Sequence, residues 1–215
     1  MLRTTLAAAL TALLLLYLTP STTPYSPHNP GPDGLSKLAA HCQLADQADV
    51  IILAPGAELP QYNVSALRAP IADPFINDGN PRNPVVNARG KPAVAPNATP
   101  LTGPGTPLVY TSPGSFITND TRGPFPLALA VATDNKTIYI YHAALFSNQA
   151  IDKNAALLKE VCARPVKIVV ADPDPAHLLH EHLDEAQPWA APAILTATSL
   201  YLLLKKTTWQ SRREK

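Results

Sequence analysis

Two long apolar runs lie near the two ends of the chain, and they constrain its topology before any other feature does. The first is LAAALTALLLLYL, residues 6–18, and the second is WAAPAILTATSLYLLL, residues 189–204. As helices they would rise about 20 Å and about 24 Å, against a hydrocarbon core of about 30 Å. Two lysines that can snorkel extend the second run. We therefore predict a transmembrane helix over residues 188–205, with a buried core helix as the alternative.

The orientation follows from the distribution of charge around these runs. Residues 21–187 carry eleven Lys or Arg and fifteen Asp or Glu, whereas the last eleven residues carry five Lys or Arg and one Glu. By the positive-inside rule the basic tail, residues 206–215, is cytoplasmic and residues 21–187 are exported. The short first run also fits a secretory signal, so residues 1–20 are predicted to be a cleaved signal peptide or an uncleaved signal anchor.

Four N-glycosylation sequons lie between the two runs and agree with export to the cell surface. Their acceptor residues are Asn63, Asn97, Asn119 and Asn135. The pattern predicts a glycoprotein, with the alternative that some or none of the sites are modified.

Both cysteines of the chain, Cys42 and Cys162, also fall in the exported region. Each lies at the C-terminal end of a predicted helix. A disulfide between them would close a loop of about 120 residues and would stabilise the fold by about 4–5 kcal/mol. We predict this bridge; two buried thiols are the alternative.

Short apolar strands alternate with helices in the exported region, which is typical of a three-layer α/β sheet. Helices are predicted in DGLSKLAAHC and NQAIDKNAALLKEVC. Strands are predicted in DVIILAP, ALRAPIAD, TPLVYTS and VKIVVADP, and a hairpin in LALAVATDNKTIYIYHA. Residues 70–126 contain twelve prolines, so this stretch is predicted to be mostly loop.

The ordered segments YSPHNPGPDGLSKLA, DVIILAP, IADPFINDGNPRNPVV, TSPGSFI and ALFSNQAIDKNAALL resemble a family of membrane-anchored prokaryotic proteins common in archaea. The exported domain of that family looks like a degenerate class I glutamine amidotransferase. The resemblance covers about residues 22–172 and implies a flavodoxin-like sheet and a membrane anchor, but no activity. Family members often carry Asp and Ser where this chain has His142-Ala143-Ala144.

The residues argue against amidotransferase chemistry and favour no other catalytic machinery. The active enzymes place a Cys on a tight strand-to-helix turn, and neither cysteine here has the flanking glycines for one. The loop serines in SPGS are not within G-x-S-x-G. We therefore predict no catalytic residue and no cofactor.

The segment HLLHEH lies in a predicted juxtamembrane stalk, residues 172–187. In a helix His177, His180 and Glu181 would share a face, which is the donor set of a catalytic zinc site. The spacing matches no established zinc motif, and little protein can surround a metal so close to the membrane. A solvated stalk is the favoured interpretation, and weak metal binding is the alternative.

Hydrogen-bonding side chains are concentrated in loops that should meet at the carboxyl ends of the strands, where open α/β sheets bind ligands. The ligand-binding candidates are Asp73, Asn77, Asn80, Ser112, Ser115 and Asn148, with Asp78 and Asp172 in the same loops. Ordinary turn chemistry is the alternative, because Asn, Asp and Ser are common in loops for local reasons.

These observations predict a membrane-anchored, extracytoplasmic accessory module that binds a partner protein or an envelope glycan without catalysis. The formal net charge of +1 shows no basic field for nucleic acid. A degenerate envelope hydrolase, a weak metal-binding protein and a structural envelope component are the alternatives.

Overall fold

The computed structural model describes residues 22–118 and 121–171. The predicted signal segment, juxtamembrane stalk, transmembrane helix and basic tail lie outside these residues, and so does Asn119. Within the described ranges, no helix has both the length and the apolar character needed to span a bilayer.

The described residues form twelve strands, two α-helices and two 3₁₀ helices. The strands are β1 (Val50–Leu53), β2 (Glu58–Leu59), β3 (Val64–Ala66), β4 (Val85–Ala88), β5 (Lys91–Val94), β6 (Leu101–Thr102), β7 (Thr106–Tyr110), β8 (Phe116–Thr118), β9 (Thr121–Arg122), β10 (Pro126–Ala132), β11 (Thr137–His142) and β12 (Val166–Val169). The helices are α1 (Ser36–His41) and α2 (Ala155–Val161), and the 3₁₀ helices are Pro60–Tyr62 and Ala143–Phe146.

A seven-stranded mixed sheet with the order β12-β1-β11-β10-β7-β4-β5 dominates the fold. The strand β1, second in this order, is parallel to both β11 and β12, whereas the pairs from β11 to β5 are antiparallel. Because β11 and β12 flank β1, the connection between them crosses over β1 and carries α2 onto one face. The predicted α/β class is confirmed, and so is the predicted β10–β11 hairpin.

The two faces of this sheet are covered by different kinds of structure. On one face, Val50 and Ile52 of β1 pack in a core with Leu38 of α1 and Leu157 of α2. On the other face, alternate residues of β1, β10 and β11 pack against a small sheet of order β2-β3-β6. The described part therefore has a helical layer, the large sheet and a second layer made of strands.

Strands β4 and β5 form a hairpin within residues 70–126, which were predicted to be mostly loop because of their prolines. Arg89 and Gly90 both have left-handed backbone angles, with φ of 52° and 85°, as a two-residue type I′ turn requires. The Asn87 side-chain oxygen accepts a hydrogen bond from the Gly90 amide at 2.6 Å. Pro92 is tolerated because β5 is the outermost strand of the sheet.

Three predicted elements differ from the observed ones. The prediction of a strand in ALRAPIAD is wrong. Strand β3 ends at Ala66, the first residue of this segment, and Ala72 forms only an isolated β-bridge with Phe116. The helix predicted in NQAIDKNAALLKEVC begins only at Ala155. The helix predicted in DGLSKLAAHC likewise begins only at Ser36, with Leu35 in the N-cap position.

The predicted disulfide between Cys42 and Cys162 is confirmed, with Cα atoms 4.7 Å apart and a sequence separation of 120. Each cysteine is the C-cap residue of its helix, Cys42 for α1 and Cys162 for α2. The bridge therefore joins the ends of two short helices that come from opposite ends of the domain sequence.

We expect removal of this bridge by the double variant Cys42→Ser/Cys162→Ser to lower the free energy of unfolding by about 2–5 kcal/mol. The reason is that the unfolded chain loses a constraint closing a 120-residue loop. Urea denaturation of the full chain, with and without dithiothreitol, measures the change. Dithiothreitol should not alter the double variant, and equal stability of oxidised and reduced wild type would contradict the prediction.

Candidate binding site

The Asp73 carboxylate is buried and organises two loops at once. Its Oδ1 accepts hydrogen bonds from the amides of Phe75 (3.0 Å) and Ile76 (2.9 Å), which closes an Asp-Pro turn. Its Oδ2 accepts a hydrogen bond from Ser112 Oγ at 2.5 Å. A charge-assisted bond of this kind ties the loop before β4 to the loop after β7 and fixes the backbone that carries Phe75 and Ile76.

Asn77 and Ser115 belong to the same cluster, and their contacts are with neighbouring loop atoms. The Asn77 amide donates to the Asp73 carbonyl oxygen at 2.9 Å. Ser115 Oγ donates to the Ser112 carbonyl oxygen at 2.7 Å and lies 2.6 Å from Thr111 Oγ1. Four of the six candidates, Asp73, Asn77, Ser112 and Ser115, are thus brought together, and they mainly bind one another.

Asn80 and Asn148 make structural contacts outside this cluster. Asn80 Oδ1 accepts a hydrogen bond from the Arg82 amide at 2.9 Å, as in an Asx turn. The Asn148 amide donates to the carbonyl oxygens of Gly31 (2.7 Å) and Asn29 (3.1 Å), far from the Asp73 cluster in sequence and contacts. Its Oδ1 accepts from the Lys37 amide at 2.9 Å. Asn148 therefore clamps the segment that leads into α1.

An open, largely apolar groove of about 390 Å³ lies beside the Asp73–Ser112 pair. Tyr110 of β7, Asn87 of β4 and Pro92 of β5 are neighbours in register across three strands, and all are exposed. Strand alternation puts them on the face opposite Val86 and Ala93, which pack in the helix-facing core. The groove is lined mainly by Ile76, Val85, Tyr110, Ser112, Pro113 and Pro92.

Three large apolar side chains are exposed in and around this groove. Phe75 is 78% exposed, Ile76 49% and Tyr110 46%. Phe75 lies over Gly114, where a Cβ atom would come within 2.9 Å of the Phe75 ring. We name this cavity, lined by Ile76 and Tyr110 and flanked by Phe75 over Gly114, the apolar groove. Its residues were missed from the sequence, although an adjacent Phe and Ile within the polar turn DPFINDGN was a usable signal.

His142 occupies the position at the end of β11 where the resemblance leads one to expect an acidic residue. The imidazole is fully buried, and its Nδ1 accepts a hydrogen bond from the Ala144 amide at 3.1 Å. Its Nε2 lies 2.9 Å from Thr99 Oγ1 and 3.3 Å from the Thr99 amide nitrogen. Burial lowers the pKa of His142 to about 3, so the ring is neutral and packs in the protein interior.

The predicted glycosylation sites lie mostly within the described residues, whereas the predicted metal ligands lie outside them. Asn63, Asn97 and Asn135 are all exposed, and their glycosylation stays a prediction. No group of three or more His, Cys, Asp or Glu side chains placed to hold a metal occurs in residues 22–118 and 121–171. The weak metal candidates His177, His180 and Glu181, together with Asp172, lie beyond the described residues.

Comparison with protein-family models, curated proteins and solved structures found no match for this chain. The resemblance to membrane-anchored, amidotransferase-like proteins therefore stays a prediction.

The buried His142 predicts a specific dependence of stability on pH. Its folded pKa of about 3 lies below the ordinary value of 6.5, so the unfolded chain binds this proton first as the pH falls. The stabilisation is present above about pH 6.5 and is lost on going down to about pH 3, at about 1.4 kcal/mol per pH unit. Urea denaturation of wild type and His142→Gln at several pH values isolates this contribution.

The stability difference between the two proteins should shrink as the pH falls below about 6.5. Parallel curves for wild type and His142→Gln across that range would contradict the assignment of a neutral, buried imidazole.

Proposed function

We propose that this chain is a non-catalytic binding module that engages an apolar segment of a partner protein through the apolar groove. The observation that carries the proposal is the exposure of Ile76 and Tyr110 in the lining of one concave surface, with Phe75 exposed beside it. Contiguous apolar surface of this kind marks interaction sites, and aromatic residues are enriched at the centres of protein interfaces. The Asp73 carboxylate fixes the backbone that carries Phe75 and Ile76, which lowers the entropic cost of binding.

The polar groups beside the groove support a polypeptide rather than a glycan as the occupant. A sugar needs hydrogen-bond partners for its hydroxyl groups when they leave water. Here Asp73 Oδ1 and Oδ2, Ser112 Oγ and Ser115 Oγ already bind atoms of their own loops. An apolar side chain needs no such partners and matches a surface lined by Ile76, Val85 and Pro113.

The partner would be bound through side chains rather than by adding a strand to the sheet edge. Pro92 in the outermost strand β5 has no N–H to donate. The amide and carbonyl of Val94, also in β5, are both taken by the Asn154 side chain, at 2.8 and 2.7 Å. The edge of β5 is therefore protected against pairing, whereas the adjacent groove is open.

We also propose that the module is exported and anchored in the cell membrane, with its basic tail in the cytoplasm. The Cys42–Cys162 disulfide supports this location, because structural disulfides persist in oxidising compartments. The two apolar runs in the sequence supply the anchor. An amidotransferase-like origin of the sheet remains part of this proposal, supported by the parallel strands β12, β1 and β11 and by α2 in the crossover between β11 and β12.

The test is to replace Phe75 by a photo-crosslinking amino acid in full-length protein expressed in its native host. After irradiation and detergent extraction, we expect one adduct to a second protein, which mass spectrometry identifies. The same protein should co-purify stoichiometrically with the wild-type chain. The double variant Phe75→Ser/Tyr110→Ser should lose it, because the variant removes apolar contact area without touching a buried residue.

The matched control is Leu44→Ser, since Leu44 is an exposed apolar residue, 41% accessible, that does not line the groove. This variant should retain the partner. An adduct between two copies of the chain, a crosslink within one chain, or a partner retained by the double variant would contradict the proposal.

A further inference from the structure

A second, smaller cavity of about 100 Å³ lies on the helix-facing side of the sheet. Its apolar walls are Val50 of β1 and Val161 of α2, both of which belong to the helix-facing core. Its polar lining consists of Arg89, Tyr139, Tyr141, Glu160 and Arg164. We name this the arginine cavity. It is separate from the apolar groove, which lies on the opposite face of the sheet.

The hydroxyl group of Tyr141 has no hydrogen-bond partner among the described residues, although the residue is only 3% exposed. The ring packs edge-on against Phe146 with centroids 5.9 Å apart, so its position is set by the core. No fully buried side-chain oxygen or nitrogen of the described residues lacks a partner, so the hydroxyl keeps some accessible surface. Tyr141 lines the arginine cavity, which offers that surface. Because burial raises the pKa of Tyr141, the group keeps its proton and is a donor.

The charges around this donor favour an anion. Arg89 pairs with Glu160. The Arg164 guanidinium lies 5.3 Å from the centre of the Tyr139 ring and has no carboxylate partner among the described residues. Two guanidinium groups against one carboxylate leave the lining with an excess of one positive charge. Arg164 therefore presents N–H donors that a planar carboxylate or a sulfate can accept from.

We propose that the arginine cavity binds a small oxyanion of the carboxylate or sulfate class. Arg164 supplies the charge that the ligand neutralises, and the Tyr141 hydroxyl donates a hydrogen bond from the floor. Arg89, held in place by Glu160, supplies further donors at the rim. The volume is several times what one water molecule occupies, which suits a group of a few heavy atoms.

Such a group occurs on acidic sugars as well as on simple acids, and the same test separates these sources. Sodium acetate, sodium sulfate and sodium glucuronate are titrated into the purified full-length chain in detergent, at an ionic strength held constant with sodium chloride. Isothermal titration calorimetry measures the dissociation constant of each anion. We expect saturable binding of at least one of them.

Arg164→Gln and Tyr141→Phe should each weaken that binding by about tenfold or more, as expected for a lost hydrogen bond to a charged group. Tyr141→Phe keeps the ring that packs on Phe146, and Arg164 is exposed, so neither substitution leaves a cavity in the core. The control Arg82→Gln removes an exposed charge that does not line the cavity and should leave affinity unchanged.

Tighter binding of glucuronate than of acetate would identify an acidic sugar as the source of the ligand, and equal binding would identify the carboxylate alone. Heat that rises without saturation for all three anions would overturn the proposal. So would unchanged affinity in both Arg164→Gln and Tyr141→Phe. The apolar groove proposal is independent of either result.

Discussion

The fold depends on β1, Val50–Leu53, because this strand is buried on both faces and paired on both edges. Its four side chains are at most 3% exposed, and its parallel partners are β11 on one side and β12 on the other. Val50 and Ile52 anchor the helical layer, while Ile51 and Leu53 anchor the small sheet. Each such side chain stabilises the fold by about 1.5–3 kcal/mol on burial, so this short strand connects both cores of the domain.

The rest of the molecule is arranged outward from that strand. The crossover from β11 to β12 brings α2 over β1, and the Cys42–Cys162 disulfide ties the end of α2 to the end of α1. Away from β1, the antiparallel strands β7, β4 and β5 expose one face, because the small sheet packs against β1, β10 and β11. That exposed face carries the apolar groove, whereas the arginine cavity lies under α2. The two proposed binding surfaces thus result from one asymmetric covering of the sheet.

Much of the central fold could be predicted from the sequence, and the site could not. DVIILAP indicates a strand buried on both faces because it is continuously apolar, and the disulfide was predicted from two helix ends in a chain that is expected to be exported. The β4–β5 hairpin was hidden because Pro92 is acceptable only on an edge strand, which periodicity cannot identify. The prediction that polar loop residues lie close together is correct for Asp73 and Ser112. These two side chains bind each other and organise a turn. The exposure of Phe75 depends on that tertiary turn, and its local signal is limited to an adjacent Phe and Ile in a polar segment.

The central claim is that the apolar groove is a binding surface on a scaffold that does not need it for folding. Amide hydrogen exchange of the full chain, in wild type and in Phe75→Ser/Tyr110→Ser, tests this directly. The slowest amides should lie in β1 and its partner β11, at the same rates in both proteins, because β1 lies in both cores whereas Phe75 and Tyr110 lie in neither. Faster exchange of β1 in the double variant would show that Phe75 and Tyr110 are required for folding, which would contradict the claim.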